Sequence, residues 1–216
     1  MTTSPDSLAP PSFRRILHPT DFTPDSQTAL VHAIKLAVAE RGELSIMHVD
    51  PNVPRADFED FPKVRPILTQ WGLLPPDSPR ERVSDIGLTI NKVRTVATHP
   101  AEGILRHLEH HPADLLVMST HQHEGFTRWH HQGVAEPVAR QSQIATLFVP
   151  AHVEGFVVTD SGQPKLRRIL VPVSADAHPQ HAIDTAAKLA ELLGCDNLTG
   201  IAVHIGEDER FLSIHY

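Results

Sequence analysis

The chain opens with a passage that it later repeats. Arg14-Arg15-Ile16-Leu17-His18-Pro19 returns as Arg167-Arg168-Ile169-Leu170-Val171-Pro172. At the same offset Gln27 meets Gln180, Ala29 meets Ala182, Ala33 meets Ala186, and Lys35-Leu36-Ala37 meets Lys188-Leu189-Ala190. After a short insertion Met47-His48-Val49 is echoed by Val203-His204-Ile205. A strand-like run and a helix-like stripe recurring in one order mark a supersecondary unit used twice. The chain is therefore expected to hold one complete unit and the beginning of a second.

Within the first unit, strand and helix signals alternate. Arg15 to Pro19 is a short apolar strand. Thr23-Pro24 is an N-cap followed by Pro at the first helical position. Ala29, Leu30, Ala33, Ile34, Ala37 and Val38 form an apolar stripe at helical spacing, and Gly42 is the expected stop. Leu44 to Val49 is the second strand. Seven prolines from Pro51 to Pro79 break up the next region, where two short helices are expected at about 63–71 and 79–86. Lys92 to Ala97 is the third strand and Pro100 to His111 a helix. Leu115-Leu116-Val117-Met118 is a continuous apolar run, as in a strand covered on both faces of a parallel sheet. Val134 to Gln141 is helical, and Ala145 to Val149 is the fifth strand.

Strands separated by helices imply right-handed crossovers and a doubly wound, parallel, five-stranded α/β sheet. The expected domains are a disordered tail over 1–13, the complete unit over 14–150, a Gly/Pro linker over 151–164, and a truncated β-α-β repeat over 165–216.

Composition removes several classes of function. The 216 residues are 40% apolar and 21% charged, enough for a packed core and too apolar for bulk disorder. A net charge of -7 is a poor footprint for duplex DNA or anionic lipid, so neither nucleic acid nor membrane is an expected partner. No apolar run approaches the ~18 residues of a membrane span. The single cysteine, Cys195, excludes an internal disulfide and a Cys-based zinc site. The first twelve residues lack a basic start and an apolar stretch, so no secretory signal is expected and the cytoplasm is the default compartment.

Several spaced motifs now coincide. Ile16-Leu17-His18-Pro19-Thr20-Asp21-Phe22 resembles the opening strand of universal stress proteins. So do Ala113 to His121, Val134-Ala135-Glu136, and Thr146-Leu147-Phe148-Val149-Pro150, in the right order. The resemblance implies an adenine nucleotide α-hydrolase-like fold with strand order 3-2-1-4-5. It implies homodimers joined through the fifth strand. It also implies an ATP or AMP site at the C-terminal ends of the strands, where open α/β sheets hold ligands. Carried over, that site comprises Pro19, Thr20, Asp21, His48, Val49, Ser119, His121, Gln122, Gln132, Gly133 and Val134.

The family's phosphate loop reads Gly-x2-Gly-x9-Gly-Ser/Thr, because backbone N–H groups must reach phosphate oxygens with no Cβ between. Here Ser119, Gln122 and Gln132 stand at the three glycines and Gly133 at the Ser/Thr position, with the spacing kept. Ser174 stands where Asp21 does, and the second copy has no such loop. A degenerate site is expected, in a regulatory stress-response protein that acts by binding. The competing expectation is an ATP- or AMP-binding protein with slow or no hydrolysis. No nucleophile elbow and no Lys-bearing P-loop argues for catalysis.

Sixteen histidines remain. His18, His48 and His121 end neighbouring strands, so they are weak candidates for zinc or nickel ligands, against the alternative of hydrogen-bonded strand ends. His107, His110 and His111 close a helix, where partly cationic side chains suit the dipole.

Overall fold

The computed structural model describes residues 11–51, 57–120, 133–173, 180–195, 198–204 and 211–215. They belong to two compact units, one spanning Phe13–Gln163 and the other containing Pro164–Tyr216.

The first unit runs β1 (Arg15–Pro19), α1 (Pro24–Glu40), β2 (Glu43–Asp50), α2 (Val64–Gln70), α3 (Arg82–Asp85), β3 (Thr89–Val96), α4 (Pro100–His110), β4 (Leu115–Thr120), α5 (Ala135–Ser142) and β5 (Thr146–Pro150). The sheet order is β3-β2-β1-β4-β5, and every pairing is parallel. β3 starts at Thr89, earlier than the apolar pattern suggested. It is the sheet's edge, so its side chains alternate only weakly between inside and outside.

Alternation along β1 sorts the core onto the two faces of the sheet. Leu17 joins Met47, Val49, Ile104, Leu108, Leu116, Met118 and Val138 beneath α4 and α5. On the opposite face, α1 supplies Ala29, Leu30, Ala33, Ile34, Leu36 and Ala37, all fully buried. Burial of each large aliphatic side chain contributes roughly 1.5–3 kcal/mol. Leu115 to Met118 of β4 are buried without alternation, as a strand covered on both faces requires.

The helix boundaries have local causes. Thr23 caps α1, its Oγ1 accepting the Ser26 N–H at 3.3 Å, with Pro24 opening the first turn. The stop differs from the glycine expectation. Arg41, not Gly42, takes the left-handed conformation, at φ 52°. Gly42 is needed because a Cβ there would strike the Arg14 carbonyl, which accepts the Glu43 N–H at 2.6 Å.

Two stretches differ from the composition-based reading. Phe13, assigned to the tail, is only 3% exposed and belongs to the core. The 151–163 portion of the expected linker is a strap packed on the first unit. His32 on α1, fully buried, accepts the Phe156 and Val157 N–H groups at Nε2, at 3.0 and 3.2 Å. The Trp71 indole N–H donates to the Thr159 carbonyl at 2.8 Å, and the Gln70 amide to Asp160. Gly and Pro mark turns, which a docked strap needs as much as a free linker does.

The second unit contains β6 (Arg168–Val173), α6 (Gln180–Leu193), β7 (Thr199–His204) and β8 (Phe211–His215). β6 and β7 pair in parallel, as expected of β-α-β. The antiparallel β8 on the far edge of β7 was not expected. Ile169, Val171, Gly200 and Ala202 share one face of this sheet and line, with α6, a cavity of about 390 Å³. Leu170 on the other face is 62% exposed. Ala29, Leu30, Ala33, Ile34 and Ala37 of the α1 stripe are fully buried, whereas among the described residues of α6 only Leu193 is buried.

Candidate functional site

Parallel pairing brings the C-terminal ends of β1, β2 and β4 to one edge of the first unit, where the sequence placed the site. Pro19 ends β1 in register with Met47 of β2. Thr20 follows and knits the turn together. Its N–H reaches the Met47 carbonyl at 2.7 Å, and its carbonyl accepts from His48 Nδ1 at 2.8 Å. Its Oγ1 accepts from the Phe22 N–H and the Ser26 hydroxyl, at 3.1 and 2.9 Å.

Asp21 is exposed, and its Oδ1 accepts both the N–H and the hydroxyl of Thr23, at 3.0 and 2.6 Å. That carboxylate oxygen shapes the entry to α1. It is the turn-making use of an Asp, in which the side chain bonds a backbone N–H two residues on.

His48 has one ring face covered. Phe22, held at φ 64°, stacks on it with ring centroids 4.2 Å apart and planes 22° apart. Phe61 meets the edge of Phe22 at 5.5 Å, and Phe58 stacks on Phe61 at 5.9 Å. Lys92 lies over Phe61 and Arg94 over Phe58. The sequence reading missed this aromatic row. The one available signal was Phe22 directly after Asp21, in a turn where a large apolar residue is out of place unless it covers something. His48 Nε2 lies 3.6 Å from the buried Asp50 carboxylate.

The other candidates scatter. Val49 is 8% exposed and belongs to the core, packed against Ala97 and α4. A Cβ on Gly103 would come within 2.9 Å of its Cγ1. Ser119 is half-buried, in register with Val149. Gly133 is exposed, with open space around its Cβ position. Val134 precedes α5, which starts without a side-chain cap. His121, Gln122 and Gln132 lie outside the described residues.

The histidine metal reading separates in the same way. His18 is fully buried, with Nδ1 2.8 Å from the Val117 carbonyl and Nε2 3.5 Å from the Ser26 hydroxyl. Burial pushes it down to about 4, against the opposing pull of the Val117 carbonyl and Asp21, so it is neutral at neutral pH. His48 is tied to the Thr20 carbonyl instead. Among the described residues no group of three or more His, Cys, Asp or Glu could hold a metal. At the opposite end of the sheet His107 and His111 stack at 4.4 Å, and burial lowers the His107 pKa, with His111 and His110 adding to the effect.

The sequence matches the model of the Universal stress protein family over residues 12–150. A universal stress protein from Archaeoglobus fulgidus has a similar fold, with TM-score 0.54 and 14% identity over 91% of this chain and 67% of that one. UspA from Lactobacillus plantarum aligns over 64% of this chain and 98% of its own, at 16% identity and TM-score 0.43. A universal stress protein in complex with cAMP aligns over 64% and 97%, at 20% identity and TM-score 0.44. A search of curated proteins finds no match. No helix among the described residues is long and apolar enough to cross a membrane.

Proposed function

The chain belongs to the universal stress protein family, and on that premise we propose that it is a stress-response regulator acting by binding rather than turnover. Its adenine nucleotide site is degenerate and does not take ATP in the usual way. The observation that carries this reading is the Phe22–His48 stack beside Asp21. The ring face that a base would use there is already covered by the protein's own phenyl group. Asp21 spends an oxygen on Thr23. In the sequence, Ser119, Gln122 and Gln132 stand at the positions where the family's phosphate loop has glycine.

The active form is a homodimer joined through β5. Among the described residues that strand is the sheet's edge, paired with β4 alone, and Phe148 on it is 41% exposed. An edge with a large apolar side chain is a template for a second chain. The 165–216 segment repeats the opening strand, helix and strand of the unit, and the protein resides in the cytoplasm.

Isothermal titration with ATP and with AMP tests the reading. Absence of saturable binding is expected for the natural sequence. The double variant Gln122→Gly with Gln132→Gly is expected to gain affinity for ATP. Micromolar ATP binding by the natural chain would instead favour the nucleotide-binding alternative, using Thr20, Asp21 and the 119–133 loop.

A further inference from the structure

The histidine that fastens the strap to α1 has both ring nitrogens engaged. His32 Nδ1 lies 2.8 Å from the Thr28 carbonyl, one turn earlier in α1, so this nitrogen carries a proton and donates. Nε2 must then be the acceptor, and it serves two backbone N–H groups at once, those of Phe156 and Val157. The ring of Phe156 meets the imidazole edge-on at 4.6 Å. Gly155, at φ +76°, brings the strap so close that a Cβ there would overlap the imidazole. His32 and Val157 are both fully buried. Only the neutral tautomer with its proton on Nδ1 satisfies this arrangement.

We propose that His32 is an acid-sensitive latch, and that a proton taken up at its Nε2 frees residues 153–157 from α1 while the sheet stays folded. A proton on Nε2 would set a third N–H against the two that now converge on it. The imidazolium and the closed strap therefore exclude one another.

Several ionisable groups lie on the elements around His32. α1 itself carries Asp25, Lys35 and Glu40, and the strap carries His152, Glu154 and Asp160. Asp25 accepts the His152 N–H, and Asp160 accepts from Gln70. β1 brings Arg15, paired with Asp114, and the neutral His18; β2 brings Glu43, His48 and Asp50. β4 and β5 bring none. Glu154, next to Gly155, is the strap's nearest carboxylate in sequence and moves away with it on release. The far end stays attached through Trp71 and Thr159. Release thus exposes Phe156 and Val157 without unfolding the sheet.

The sign follows from linkage. The closed form excludes a proton at Nε2 and the opened form admits one, so acid favours opening, by at most about tenfold per pH unit. Amide hydrogen exchange of the full chain between about pH 7 and pH 5, corrected for intrinsic rates, reads this out directly. Exchange at Phe156 and Val157 is expected to rise by about that factor per unit, while Thr20 and Leu116 in the sheet stay protected. In His32→Gln, which accepts without titrating, the rise is expected to vanish. Gly155→Ala keeps His32 but displaces the strap, so Phe156 and Val157 should be unprotected at every pH. Unchanged protection of the natural chain down to pH 5, an equal rise in His32→Gln, or normal protection in Gly155→Ala would each overturn the latch.

Discussion

Phe22 lies on the imidazole of His48, ring centroids 4.2 Å apart, and so covers the C-terminal ends of β1 and β2 with the chain's own side chain. The stack depends on a backbone bend at φ 64°, unusual for a bulky residue, and on the Thr20 hydroxyl that accepts the Phe22 N–H. A strained residue beside a candidate site has a local role to explain it, and here the role is cover.

Phe22→Ala should remove that cover. An aromatic pair contributes about 1 kcal/mol beyond its buried area, and Phe22 is partly exposed, so the expected loss of stability is about 1–2 kcal/mol by urea unfolding. The His48 ring resonances should move downfield as the ring current disappears. No change in either would remove the stack from the account.

His18 makes stability depend on acid. Its folded-state pKa is about 4, below the ordinary value of about 6.5, so the unfolded chain binds the extra proton between the two. Stability is therefore fully present above about pH 6.5 and is lost as pH falls toward 4. The buried shift corresponds to about 3 kcal/mol in order of magnitude. Chemical unfolding at several pH values, compared with His18→Asn, checks this. The variant's stability should fall less steeply across that window.

Gly103→Ala sets two effects against each other. Alanine favours a helix interior by about 1 kcal/mol over glycine. Its Cβ would, however, come within 3.0 Å of the Ala97 Cβ and closer still to Val49, and overpacking of this kind costs about 1–3 kcal/mol. A net destabilisation of about 1 kcal/mol is expected in thermal or urea unfolding. A net gain would mean that α4 slides easily over β2.

The first unit has its own core and its own strap, so removal of residues 164–216 should leave it folded. Circular dichroism and light scattering of the 1–163 chain should show a cooperative transition and a dimer. A monomer would move the dimer contact away from β5.

Much of this fold was readable from residue spacing. The parallel order, the buried β4 run and the Thr23-Pro24 start of α1 all follow from local pattern and capping chemistry. What sequence did not disclose rests on contacts between distant residues. Phe156 and Val157 read as linker because His32, which holds them, lies more than a hundred positions earlier. Phe22 read as a family match because only the folded turn lays it on His48. Arg41 took the left-handed turn expected of glycine, since Gly42 was needed for close approach to Arg14. Of the candidate site, Pro19, Thr20, Asp21 and His48 lie at the strand ends and the turn after β1. The hydrogen bonds that tie Thr20 to Met47, His48 and Ser26 join residues distant in sequence and became visible only in the fold.

Titration of the purified full chain with ATP decides whether the strand-end site is a working nucleotide site. No saturable heat at micromolar ATP is expected, and no change in amide protection over residues 119–133. A micromolar dissociation constant with new protection across that loop would contradict that expectation.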